Sequence, residues 1–257
     1  MLTRIFILTA MMFSLMYPLC FWISLKDPLK NNFHRFHIGL PSIIGGITCV
    51  FILLWDFPRE IKINALIWQI FSLSFSGYSW KKEYPNALLM TAPSIVGLFV
   101  FYQLQSYLLN NSLIFLIVSI LAGGIFCSCL FAMNLGHWYL NVHGLPLSHL
   151  IRASYVFWFL LAWRGIWDIF ALATAKVLYR GNLISLYNFT FQYDGFLLWV
   201  AFLFGLIFPF LSMFFVKGTL AVKNTQSTTG ILYVILGSIL IGDMTYKYYS
   251  IKYGIYL

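Results

Sequence analysis

Along the chain, apolar runs of about 20 residues alternate with short polar connectors, and a run of that length crosses a hydrocarbon core of roughly 30 Å as a helix. About eight spans are expected, near Ile5 to Leu25, Ile38 to Trp55, Ile61 to Ser79, Ala87 to Leu109, Leu113 to Leu140, Ile151 to Ala175, Gly195 to Val216 and Thr229 to Tyr249. The third is the most polar: INALIWQIFSLSFSGYSW carries Gln69, several serines and Gly77, and as a re-entrant segment it would leave seven spans. Runs such as LIFLIVSILAGGIFCSCLFAM lack the period-2 alternation of a membrane barrel strand. The expected fold class is all-α, a polytopic transmembrane helix bundle forming a single integral membrane domain over residues 1–257. No connector is long enough to fold by itself, the longest running from Lys176 to Asp194. The first apolar run lacks a small-x-small cleavage pattern and is too long for a secretory signal, so it is expected to stay as a span.

Composition agrees with this pattern. Of 257 residues, 61% are hydrophobic and 9% charged, against roughly 25% charged in a soluble globular domain. An ordinary cytosolic enzyme is excluded. The net charge of +9 comes from sixteen basic residues thinly spread over connectors. Without a clustered basic face they read as topology signals and headgroup contacts, and no nucleic-acid partner is expected. Under eight crossings, one face (A) holds Arg4, Arg59, Lys62, Lys176, Arg180, Lys247 and Lys252. The other (B) holds Lys26, Lys30, Arg35, Lys81, Lys82, Arg152, Lys217 and Lys223. This near-equality leaves orientation open. Trp and Tyr near the span ends form an interfacial belt, and Cys20, Cys49, Cys127 and Cys129 read as small buried hydrophobes.

Two groups of polar residues stand out. Arg164 and Asp168, in FLLAWRGIWDIF, lie one helical turn apart inside the sixth span and can pair. Charges at membrane depth are costly and usually face the bundle interior. Asp243 of the eighth span and Gln103 of the fourth fall at a similar depth, so a buried polar cluster of Arg164, Asp168, Asp243 and Gln103 is expected on the face A half. It would serve either as an interhelical ion pair that fixes packing or as a proton path or ligand anchor.

All five histidines fall on face B in the eight-span scheme: His34 and His37 at the start of the second span, and His137, His143 and His149 between the fifth and sixth. Neutral imidazole ligates haem iron, zinc and copper. The group is therefore a candidate cofactor site for b-type haem or quinone, with Tyr139 and Trp138 as walls and possible hydrogen-bond donors. Asn134 would fix the tautomer of His137, and His137 and His143 are candidate metal ligands. No spacing is diagnostic, since the chain has no HExxH and no histidine pair buried mid-span. A merely solvated interface remains the alternative. No catalytic residue is assigned, because the chain lacks a G-x-S-x-G elbow, a phosphate-binding glycine loop and a sufficient set of carboxylates.

Two stretches, NLGHWYL (Asn134 to Leu140) and NTQSTTGILYVILGSILIGDMTYKY (Asn224 to Tyr248), resemble segments of an uncharacterised family of bacterial polytopic membrane proteins. The resemblance implies a multi-pass protein of the bacterial inner (cytoplasmic) membrane and no particular activity. By architecture alone, the chain also looks like the membrane anchors of respiratory oxidoreductases, which bind quinone with or without b haem. The expected function is a membrane-embedded subunit of a larger respiratory or electron-transfer complex, partnered by the bilayer and by other membrane or soluble subunits. The alternatives are a structural or assembly subunit without a cofactor and a small-solute or proton transporter.

Overall fold

The structure, a computed structural model, describes residues 1–24, 33–82, 86–109, 113–142 and 145–257. It is helical almost throughout. Among the described residues, seven helices are long and apolar enough to cross a membrane: Leu2–Ser24, Phe33–Leu54, Ala87–Leu109, Leu113–Asn141, Ser148–Thr174, Leu198–Ala221 and Thr225–Tyr253. The chain is an integral, multi-pass membrane protein in contact with lipid. Its contacts divide it into two units, Met1–Gly123 and Gly124–Leu257.

The first unit contains α1 (Leu2–Met16), which tightens into a 3-10 turn over Tyr17–Ser24, then α2 (Phe33–Leu54), α3 (Arg59–Trp80), α4 (Ala87–Leu109) and the start of α5 (Leu113–Asn141). Helix α1 packs on α2 and α4, and α3 packs on the same pair. Because α1 has almost no polar face, it fills the middle of the unit, with Ile7, Leu8, Met11 and Leu15 buried. The third expected span is a continuous helix, α3, yet too polar to count among the seven. Its polar groups are spent inside the unit: Gln69 Nε2 donates to the Ser42 carbonyl at 3.0 Å, and the Ser42 and Ser76 hydroxyls meet at 2.6 Å. Close packing centres on Gly97, where a Cβ would lie 2.0 Å from Leu15 Cδ2 and 2.4 Å from Trp68 Nε1.

The second unit takes the rest of α5, then α6 (Ser148–Thr174), strands β1 (Lys176–Tyr179) and β2 (Asn182–Ser185), α7 (Leu186–Thr190), α8 (Leu198–Phe202), α9 (Phe208–Ala221) and α10 (Thr225–Tyr253). A π-helical turn, Leu203–Ile207, joins α8 to α9. The longest connector opens with an antiparallel hairpin, Val177 facing Ile184 and Tyr179 facing Asn182. Arg180 and Gly181 both have positive φ, 51° and 82°, as a two-residue primed turn requires. Leu186 and Phe189 of α7 then pack with Leu198, Ala201 and Tyr249 in a core at this end of the unit. Helix α10 is defined at both ends. Asn224 accepts from the Ser227 amide at 3.0 Å, and Gly254 closes the helix in the left-handed region at φ 65°.

Candidate functional site

The geometry of the second unit begins with Pro209. A proline has no amide hydrogen to give, and its ring excludes the carbonyl four residues earlier, that of Gly205. The chain accommodates this by widening over Leu203–Ile207 into the π-turn. Such a turn disturbs the carbonyl ladder, and Ser238 of α10 donates its hydroxyl to the Phe204 carbonyl at 2.6 Å. Here α10 crosses at backbone contact: a Cβ on Gly242 would lie 2.2 Å from Gly205 Cα, and one on Gly205 would lie 2.8 Å from the Tyr246 ring. Two glycines thus set the depth at which Asp243, Tyr246 and Lys247 are held.

Across from them, α6 supplies Arg164 and Asp168. Arg164 Nε donates to Asp168 Oδ1 at 3.0 Å, and Tyr246 donates its hydroxyl to Asp168 Oδ2 at 2.7 Å. The guanidinium also lies 4.0 Å from the centre of the Tyr246 ring, within the range of a cation–π contact. One turn along α10, Lys247 pairs with Asp243. The four charged residues are 3%, 2%, 8% and 6% exposed, in the order Arg164, Asp168, Asp243, Lys247. Their charges cancel, which is what makes two cations and two carboxylates tolerable at this depth. Satisfaction is incomplete, however, because Arg164 Nη2 is buried without a hydrogen-bond partner among the described residues.

From this network polar groups continue toward the C-terminal end of α10. Tyr249, one turn beyond Tyr246, donates to the Asp194 carbonyl at 2.6 Å, and Tyr179 of β1 donates to Asp194 Oδ2 at 3.0 Å. Lys252 Nζ stands 3.9 Å from Asp194 Oδ1. Partial burial of Tyr179 and its bond to Asp194 both favour the neutral phenol and raise its titration above the ordinary tyrosine range, outweighing the opposing pull of Arg180.

Of the expected cluster, Arg164, Asp168 and Asp243 lie in this unit. Gln103 belongs to the first unit, where its amide oxygen accepts from Asn64 Nδ2 at 2.8 Å. Tyr246 and Lys247 were missing from the expectation. Their signal is in the sequence, since they sit three and four positions after Asp243 and so share its helical face.

The histidines are divided between the units. In the first, His37 is buried, its Nδ1 2.6 Å from the Tyr17 hydroxyl and its ring stacked 3.9 Å from Phe33. His34, one turn earlier, is buried, with the backbone of Trp80 and Lys82 beside its ring. In the second unit, His137 is exposed near the end of α5 and His149 is buried in the first turn of α6, a turn earlier than the expected start of that span. Tyr139 donates to the Pro146 carbonyl between them. His143 lies outside the described residues. Among the described residues no three His, Cys, Asp or Glu side chains come together as a metal site. No family model, curated protein or solved structure matches the chain.

Proposed function

We infer that this is a proton-handling integral membrane protein, and that the network around Asp168 is its working element. The observation that carries this reading is one buried carboxylate held between a guanidinium and a phenol, inside a span, with an N–H of Arg164 left unmet among the described residues. Ionisable groups inside spans mark proton relays in pumps and transporters. A proton taken up by Asp168 weakens its hold on Arg164, whose charge is then shared with Asp243, a carboxylate already near enough to act on it. Tyr246 delivers that proton: its O–H, bonded to Asp168 Oδ2, gives its proton to the carboxylate while the phenol oxygen takes a replacement from water entering along the face of Tyr249 and Asp194. Proteoliposomes carrying an internal pH-sensitive dye and a potassium diffusion potential test this. Asp168→Asn and Tyr246→Phe keep the shape of the site, and each is expected to slow proton entry at least about a hundredfold, a general acid–base group's smallest share. Unchanged flux in both variants would leave the network a packing device.

A second reading, the electron-transfer subunit, draws on a different observation: a buried His37 oriented by Tyr17, with a second buried imidazole, His34, one turn earlier. A hydrogen bond on one imidazole nitrogen orients the other toward a ligand. An optical spectrum of the purified protein decides it. A Soret band, or co-purified quinone, that disappears in His37→Ala supports this reading, and a spectrum of protein absorption alone, with no quinone in the extract, counts against it.

A further inference from the structure

At the opposite end of the second unit from Asp194, the first turns of α6 and the last turns of α9 leave an open groove of about 190 Å³. Its walls include Ile151, Ser154 and Trp158 on one side and Met213, Lys217 and Leu220 on the other. Most of the lining is apolar, but it holds buried donors without acceptors. Serines in other helices, such as Ser14 of α1, Ser42 of α2 and Ser128 of α5, return their hydroxyls to the carbonyl four residues back. Ser154, 3% exposed, has no such bond, and Trp158 Nε1 is also unpartnered among the described residues. Above them Lys217 is exposed on the groove's rim.

Charge at this end is one-sided. Arg152, Lys217 and Lys223 gather where α6 begins and α9 gives way to α10, whereas the carboxylates of residues 124–257, Asp168, Asp194 and Asp243, lie in the other half. An occupant must therefore bring acceptors for two buried N–H and O–H groups, apolar length to lie along Trp158 and Met213, and negative charge for Lys217. We propose that this groove binds an anionic phospholipid, its phosphate at Lys217, its ester oxygens at Ser154 and Trp158, and an acyl chain along the apolar wall. Lysine at the rim suits this, since its stem lies along apolar surface while the ammonium stays at headgroup level.

Native mass spectrometry of the delipidated full-length protein, titrated with dioleoyl phosphatidylglycerol or dioleoyl phosphatidylcholine, tests the proposal. The anionic lipid should be retained preferentially, and Lys217→Gln should cut that preference about fivefold, one cation's share of attraction to an anionic surface. Lys217 is exposed, so this variant leaves the core intact. Trp158→Phe keeps an aromatic ring and loses the N–H, and it should weaken retention of both lipids. Lys223→Gln removes an equal charge away from the groove wall and should leave the preference in place. The proposal falls if the two lipids bind alike, if Lys217→Gln changes nothing, if Lys223→Gln does as much, or if a neutral isoprenoid quinone displaces the phospholipid equally in wild type and Lys217→Gln.

Discussion

The two units of this chain keep polar groups inside apolar surroundings by different means. In the first, the described pairings away from the surface are neutral: Tyr17 with His37, Gln69 with the Ser42 backbone, Asn64 with Gln103 and Trp68 with the Pro93 carbonyl. In the second, the deepest pairings are ionic, Arg164 with Asp168 and Asp243 with Lys247. Neutral dipoles lock helices together and tolerate the loss of one partner, because nothing charged is left behind. An ion pair at the same depth is retained at high desolvation cost, and its removal by halves is severe. That contrast is the reason to look for chemistry in the second unit.

The sharpest way to break the comparison is to remove Asp168 altogether. Asp168→Ala strands the Arg164 guanidinium and leaves the Tyr246 hydroxyl without its acceptor. The expected loss is about 3–5 kcal/mol, the penalty of an uncompensated buried charge, read as the unfolding midpoint in detergent. Restoring an apolar partner set with the double change Arg164→Met and Asp168→Leu should recover most of that stability while proton flux stays absent. Recovery of flux in the double variant would separate function from the charges.

Much of the fold was legible from apolar run length alone, since hydrocarbon thickness dictates span length, and the seven spans fall where the runs do. The Arg164–Asp168 pair was legible too, because a four-residue spacing puts two side chains on one face whatever the tertiary structure. What escaped depended on partners brought in from elsewhere. Tyr246 earns its place only because Gly205 and Gly242 let α10 approach at backbone contact, and nothing in a single apolar run says which glycines will meet. The hairpin at Tyr179 to Asn182 leaves only Gly181 as a mark in the sequence, and one glycine in a connector does not say that strands flank it. The grouping of histidines rested on counting crossings, which fixes a side of the membrane and not a neighbour.

Glycine contacts give the next test. Gly242→Ala pushes a methyl into the backbone at Gly205, which cannot move without shifting a helix, and is expected to cost about 1–3 kcal/mol, with lowered proton flux. Gly97→Ala in the first unit meets only the side chains of Leu15 and Trp68. The leucine tip can rotate away but the indole, held by its bond to the Pro93 carbonyl, must tilt, so the cost should be smaller than that of a helix shift yet still measurable. An equal loss in the two variants would mean that the units are packed with the same rigidity.

Smaller effects belong to the neutral pairings. Tyr17→Phe removes a 2.6 Å bond to His37 and keeps the ring packed on it. The expected cost is about 1–2 kcal/mol, the value of one buried neutral hydrogen bond and the acceptor it leaves behind. A loss as large as that of Asp168→Ala would show that the first unit also stores charge at His37, and would bring the two units to the same footing.

The mildest effect is a dependence on alkaline pH at the aqueous end of the second unit. Tyr179 titrates higher in the folded protein than in the unfolded chain because partial burial and the bond to Asp194 favour its neutral form. A raised value stabilises the fold fully below the ordinary tyrosine range and loses that contribution as pH climbs through the folded value. Wild type should therefore lose thermal stability between roughly pH 10 and higher values, and Tyr179→Phe should flatten that part of the profile. Proton flux at neutral pH should be unaltered in the same variant, because Tyr246 and Asp168 stay bonded to each other without it. If Tyr179→Phe instead slowed flux at neutral pH, the hairpin would have to be counted as part of the route, and the boundary between relay and cap would move from Tyr249 outward to β1.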